Sequence, residues 1–335
     1  MGMRSFLLSV KRAFTPVFSV IVAVGIGLNI ANPATAQTFP DHLIRIVVPY
    51  PPAGPADVAA RLIAPPLAAQ LGQNVIIENQ PGAGGRTGAK AVAQAHPDGY
   101  MLLLGGTNPN AIAQLLYRHL DFQPVKDFTG AALIGYDSNA MVVHPSVPAK
   151  NVKELVAYAK ANPGKLTSGA TVGIGPHVCL ELFRIRTGVD VTFVPYKGAA
   201  PAVADLLGGQ IQIGMTSKAV LLPLIRDGKL RAVAVTSDVR WPELPDVPTL
   251  AESGLQGVPG YLWFGLLAPA RTPSAVIDKI NAAANEAVKS PEFRASIGKL
   301  GLEAKSMTPL EFTTKLSDEA RDWAAVVKES GVTID

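Results

Sequence analysis

At 335 residues, with 48% hydrophobic and 17% charged side chains, the chain is too apolar and too weakly charged for a disordered protein. It is also long enough for two domains of about 150 residues each. Its formal charge of +4 includes Arg4, Lys11 and Arg12 in an acid-free N-terminal stretch; without them about +1 remains, so the charge balance makes no case for a nucleic-acid partner. The single cysteine, Cys179, rules out an intrachain disulfide. Its neighbours Val178 and Leu180 to Phe183 form a core-helix pattern, which suits a small buried hydrophobe better than a nucleophile.

The first 36 residues read as a secretory leader. A basic start is followed by an apolar, uncharged run over residues 13–30, and Ala34-Thr35-Ala36 places small residues where a signal peptidase reads them, with cleavage after Ala36. An uncleaved membrane anchor would have a similar run; Pro16, the glycines and the cleavage site argue against it.

From residue 43 strand-like and helix-like runs alternate. Residues 43–48 are an apolar, β-branched run, followed by a stiff proline-rich loop and a helix through residue 71, for which Asp57 is the expected N-cap. Pro65-Pro66 should kink or split that helix. Strands over 74–78 and 100–104 alternate with helices over 85–95 and 110–116. Residues 131–143 read as one long apolar strand. A second series follows: a capped helix over 152–161, strands over 190–194, 210–215 and 230–236, and helices over 199–207 and 219–227. Residues 241–260 contain four prolines and read as an irregular connection before a strand over 261–268. Thr272-Pro273 and Thr308-Pro309 then start two helical regions, expected to wrap back onto the first unit. The class is α/β, each domain a mainly parallel sheet flanked by helices. The divisions are a leader over 1–36, domain 1 over 37–140 plus 259–335, and domain 2 over 141–258.

Glycine-rich loops follow four strands: residues 50–57, 81–88, 105–108 and 173–177. None matches a dinucleotide fingerprint or a phosphate loop, and each alone could be a tight turn. Together, at the same end of a sheet, they can converge on one cleft, where backbone N–H groups at helix starts suit an anion. The five histidines (42, 96, 119, 144 and 177) show no metal spacing, and no G-x-S-x-G, H-E-x-x-H or C-x-x-C is present, so neither cofactor nor metal is expected.

Pro49-Tyr50-Pro51 with Gly54 and Asp57, Glu78-Asn79-Gln80-Pro81-Gly82-Ala83-Gly84-Gly85, and Pro97-Asp98-Gly99-Tyr100 resemble the periplasmic solute receptors of tripartite tricarboxylate transporters, the Bug family. Val194-Pro195-Tyr196-Lys197-Gly198, Asp205-Leu206-Leu207-Gly208-Gly209-Gln210, Leu244-Pro245-Asp246-Val247-Pro248-Thr249 and Trp263-Phe264-Gly265-Leu266 continue the resemblance in order. It implies a two-domain periplasmic-binding-protein (Venus flytrap) fold, no catalysis, and delivery of a small carboxylate to a membrane permease, the protein acting as a periplasmic monomer. The ligand classes implied are di- and tricarboxylates, acidic amino acids and aromatic acids. A sensor for a membrane histidine kinase is an alternative on the same fold, and a hydrolase or lyase a third.

The residues expected at the ligand are Tyr50, Pro51, Gly54 and Asp57 in the first loop, Gly84 in the second, and Thr107 and Asn108 in the third. Gly173 and His177 in the fourth, with Tyr196, Lys197, Thr216 and Ser217 beyond, complete the set. Of these, Asp57 fits a helix cap better than a ligand contact, because a carboxylate facing a carboxylate repels. His177 could donate to an anion or cap. Against the family pattern this chain carries Tyr50, Pro52, Ala53 and Ala56 in a stiffer first loop, and Lys218 two positions after Thr216. Lys218 would either favour a more anionic ligand at the cleft rim or point to solvent.

Overall fold

The computed structural model describes residues 39–334; the expected leader and its cleavage point lie outside the described residues. The chain runs through β1 (Ile44–Val48), α1 (Pro55–Leu71), β2 (Val75–Asn79), α2 (Arg86–Ala93), β3 (Met101–Gly106), α3 (Ala113–Leu116) and β4 (Phe128–Asp137). One residue, Ser138, separates β4 from β5 (Asn139–Val143), which belongs to a different sheet. The run expected as one strand over 131–143 is therefore two strands. Hydrophobicity reports that both are buried and carries no signal for a change of sheet.

The second sheet is completed around α4 (Val152–Ala161) by β6 (Leu166–Thr171), α5 (Gly175–Thr187), β7 (Val191–Tyr196), α6 (Ala199–Leu207), β8 (Ile213–Ser217), α7 (Lys218–Arg226) and β9 (Arg231–Val235). After an irregular passage the chain returns through β10 (Leu262–Pro269), α8 (Ser274–Lys289), α9 (Pro291–Lys299), β11 (Glu303–Ala304) and α10 (Pro309–Ser330). The sheet orders are β11-β4-β10-β3-β1-β2 and β7-β6-β8-β5-β9. Strands joined by helices pair in parallel, β1 with β2 and β3, and β6 with β7 and β8. The strands next to the crossings pair antiparallel, β10 with β3 and β4, and β5 with β8 and β9. The strand-to-helix loops after β1, β2 and β3 thus lie at one end of the first sheet, and the loop after β6 meets them from the second.

The two crossings run side by side and are tied together. The Thr236 hydroxyl accepts from the Asn139 N–H at 2.9 Å and donates to the Gly260 carbonyl at 2.9 Å. The Trp241 indole N–H donates to the Ser138 hydroxyl at 2.8 Å. A buried backbone crossing needs such partners for its polar groups.

Local signals in the helices were partly overridden. α1 runs unbroken through Pro65 and Pro66. Its inner face (Ala59, Ala60, Ile63, Leu67) is fully buried, while the two carbonyls deprived of donors belong to Arg61 and Leu62 on the wetter side, so water can satisfy them. At α4 the Asn151 side chain accepts from the Glu154 N–H at 2.9 Å, and Glu154 reaches back one residue further, to the Lys150 N–H. At α8 Pro273 occupies the cap, because the Thr272 hydroxyl donates to the Pro269 carbonyl instead. At α10 the Thr308–Glu311 capping box forms as expected.

The closing helices do not all wrap onto the first unit. α8 and α9 pack there, beside α1. α10 spans both domains: Phe312 and Leu316 cover the first sheet with Trp263, whereas Ala320, Trp323, Val326 and Val327 enter a core shared with Val178 and Phe183 of α5 and with Ile112 and Leu116.

Candidate functional site

The first loop is built around Asp57. Gly54, in extended backbone, is the N-cap of α1 and Pro55 its first residue, so Asp57 stands in the first turn and not at the cap. Its carboxylate accepts from the Ala53 N–H (2.9 Å), from Arg61 Nε (2.9 Å) and from Asn79 Nδ2 (2.9 Å). Asn79 Nδ2 also donates to the Tyr50 carbonyl at 3.1 Å. Burial works to raise the Asp57 carboxyl, yet the Arg61, Ala53 and Asn79 hydrogen bonds together hold it below its ordinary range. Asp57 is therefore a strut that folds residues 50–57 back on β2. The N–H groups of Ala56 and Asp57, at the second and third helical positions, have no acceptor inside the helix. Pro51 lies exposed at the loop's outer edge.

The loops after β1, β2 and β3 meet a loop of the other domain around two tyrosines and Asn108. A Cβ placed on Gly85 would lie 3.3 Å from the Tyr50 ring and hydroxyl, so only a glycine backbone allows Tyr50 this position. A Cβ on Gly84 would be 3.3 Å from the Tyr117 hydroxyl, and one on Gly173, across the domain boundary, 3.0 Å from it. Gly84 and Gly173 both adopt positive φ, at 69° and 77°. Asn108 opens a π-helical turn (Asn108–Ile112), a backbone form often kept for functional positions. Its Oδ1 accepts from the Gly175 N–H of the other domain at 3.1 Å, and its side chain also reaches the Tyr50 hydroxyl. Burial raises the Tyr50 phenol well above its usual value.

Other expected residues take structural roles. Thr107 is 1% exposed and faces the core: its hydroxyl donates to Glu319 Oε1 at 2.8 Å and accepts from the Trp263 N–H at 3.2 Å. Trp263 Nε1 also bonds Glu319, and burial raises that carboxyl. His177 is buried, stacked on Phe193 with centroids 4.2 Å apart, and its Nδ1 accepts from the Gly173 N–H at 3.3 Å. An accepting Nδ1 carries no proton, and burial lowers the imidazole pKa, so His177 shapes its loop as a neutral ring. The Tyr196 hydroxyl donates to Asp205 at 2.7 Å while its ring lies against Gly169. Lys197 is exposed. Thr216 shares a small cavity with Thr171, Ile174 and Ala199, where the segments after β6 and β7 meet the end of β8. Ser217 is buried and caps α7, accepting from the Ala219 N–H at 3.2 Å. Cys179 is buried, which pushes its thiol up to about 12.

Lys218 does not point to solvent. Its side chain, 14% exposed, pairs with Glu243 at 2.8 Å beside the Trp241 ring. It lines a cavity of about 310 Å³ on the hinge face, together with Asp137, Glu303 and Gly301. Asp137, at the end of β4, is buried; burial pushes its carboxyl up to about 7 against hydrogen bonds from Ser217 and the Ser138 N–H. An open groove of about 1260 Å³ between α10 and residues 257–261 also lies away from the loops. Among the described residues no cluster of acids, histidines and cysteines could hold a metal, and no helix is long and apolar enough to cross a membrane.

Asn79, Arg86, Tyr117 and Phe193 were not among the residues expected at the site. Asn79 had a usable signal, an amide at the end of a strand just before a glycine-rich loop. Tyr117 belongs to no motif; its position follows from an isolated bridge to Ile334.

Known proteins share this fold. The model of the tripartite tricarboxylate transporter family receptor matches residues 59–332. Protein BugT of Bordetella pertussis is 35% identical over 308 residues, 91% of this chain and 94% of its own length. Among solved structures, an R. palustris protein with adipate superposes with a TM-score of 0.81 at 33% identity, covering 88% of this chain and 99% of that one. MatC from Rhodopseudomonas palustris with bound malate does so with a TM-score of 0.76 at 32% identity, covering 86% and 100%. With the flytrap architecture, the glycine loops at the domain boundary and these matches over nearly all of the described residues, the chain belongs to the Bug family of tripartite tricarboxylate transporter receptors.

Proposed function

We propose that this protein is a periplasmic receptor that binds a small carboxylate between its two domains and delivers it to a tripartite tricarboxylate-type permease. The observation that carries the reading is the meeting of three loops of one domain with the Gly173–Gly175 loop of the other at Asn108 and Tyr117. The relatives with adipate and malate support the ligand class. Tyr50, Gly54, Gly84, Asn108 and Gly173 contact the ligand in this reading, and Asp57, Asn79 and His177 hold the loops that carry them. Release requires the Asn108–Gly175 bond to break, by rotation about the paired crossings at Ser138 and Thr236. The protein binds and does not transform: its thiol is buried and raised, and the ring nitrogen of His177 that faces Gly173 is already occupied. Residues 1–36 serve as the export signal, removed after Ala36.

A thermal-shift panel tests the reading. A ligand at 100 times its Kd stabilises by about 2.7 kcal/mol, which is several degrees for a protein of this size. Organic acids should raise Tm and neutral sugars should not. A response to sugars alone ends the carboxylate reading, and consumption of a bound acid by the purified protein ends the receptor reading. Co-purification with permease subunits tests the delivery step.

A further inference from the structure

We propose that Arg86 selects dianionic ligands, its guanidinium taking the second carboxylate of a dicarboxylic acid whose first carboxylate sits on backbone N–H groups of the cleft. The inference rests on the carboxylate-receptor reading above.

Arg86 is the first residue of α2, directly after Gly84 and Gly85. Two contacts fix its side chain: Nε donates to the Ala83 carbonyl at 3.0 Å, and the guanidinium carbon lies 3.8 Å from the centroid of the Tyr117 ring. The hydroxyl of that same ring approaches Gly84 on one domain and Gly173 on the other, so the positive charge is stacked on the residue that bridges the two loops. A guanidinium held in one plane on an aromatic face gives up little hydration and presents its remaining N–H groups as a fork, which matches a carboxylate.

The charge is also available to a ligand as far as the described residues go. Among the described residues no acid lies within ion-pair distance of Arg86. The acid that feels its field, Asp121, is paired with Lys90 at 2.7 Å. Several other basic side chains are engaged elsewhere: Arg61 bonds Asp57, Lys90 bonds Asp121 and Lys218 bonds Glu243, while His177 is neutral and Lys197 is exposed. The first loop balances its own acid internally through Arg61 and offers a ligand only uncharged N–H donors. A monocarboxylate can use those donors without Arg86, whereas a second carboxylate needs a cation.

Isothermal titration of the mature protein with matched pairs reads this directly: succinate with butyrate, malate with lactate, adipate with hexanoate, terephthalate with benzoate. Wild type should bind the dicarboxylate of at least one pair at least tenfold tighter than its partner. Arg86→Gln should lose that preference while keeping monocarboxylate affinity within about twofold, and Arg86→Lys should keep part of it. A merely structural role would weaken both members of a pair together, which overturns the proposal. So does a wild type that binds both members equally, although the receptor reading then stands. A wild type that binds no acid in the panel overturns both. Far-UV circular dichroism and Tm of each variant identify a misfolded Arg86→Gln, in which case the Arg86→Lys ratio decides.

Discussion

Asp137 offers the sharpest test of the packing at the hinge. It ends β4 one residue before the chain changes sheet; it is 3% exposed, and one carboxylate oxygen, Oδ1, has no hydrogen-bond partner. Burial pushes its carboxyl to about 7 from an ordinary 3.8, because a charge there is poorly solvated. The folded pKa is thus raised above the unfolded one. Between about pH 4 and pH 7 the folded protein holds a proton that the unfolded chain has released, so stability falls by about 1.4 kcal/mol per pH unit from this group, and above pH 7 the loss is complete. Across a shift of roughly three units that is about 4 kcal/mol. Asp137→Asn removes the titration. Its new N–H₂ stands where Oδ1 found no partner, which costs about 1–3 kcal/mol at every pH. The variant should therefore be less stable than wild type at pH 4–5 and equal or more stable at pH 8. Urea unfolding of the mature protein, followed by tryptophan fluorescence across pH 4–8, measures the difference. Parallel pH profiles for the two proteins would refute the reasoning, because they would mean that the carboxyl is solvated or paired in the folded state.

Two further outcomes follow from the first two loops. Asp57 has the opposite sign: its folded pKa is depressed, so its contribution is present above about pH 4 and is lost as pH falls through the folded value. Asp57→Ala removes the acceptor of the Ala53 N–H and of one Asn79 Nδ2 hydrogen, should cost about 1–3 kcal/mol at pH 7, and should shrink the acid-side loss of stability relative to wild type; an unchanged acid limb in circular dichroism speaks against the strut role. Gly85→Ala forces a side chain into φ +96° and against Tyr50 at 3.3 Å, at about 1–2 kcal/mol for the backbone alone. Tm should drop by a few degrees and carboxylate affinity should fall by calorimetry; a variant with wild-type affinity would mean that Tyr50 does not line the ligand.

Much of this protein was legible in its residues because the signals are local. The alternation of apolar strands with amphipathic helices, the Thr308 capping box, the proline-rich return over 241–260 and the glycine loops each act within a few residues, and they placed the α/β class and the order of most of its elements. β6 escaped because Leu166-Thr-Ser-Gly-Ala-Thr171 has almost no apolar pattern; its strand form comes from pairing with β7 and β8 on both sides. Thr107 turned inward for a similar reason: a polar side chain next to a loop takes the nearest buried donor or acceptor, and here those belong to the distant Glu319 and Trp263. Ser217 and His177 instead take local partners, the N–H groups of Ala219 and Gly173. The change of sheet at Ser138, the span of α10 over two cores, and the stacking of Arg86 on Tyr117 are likewise decided by tertiary structure alone. Sequence periodicity records that a face is buried or a turn is tight, while partners separated by tens to hundreds of residues determine what that face meets.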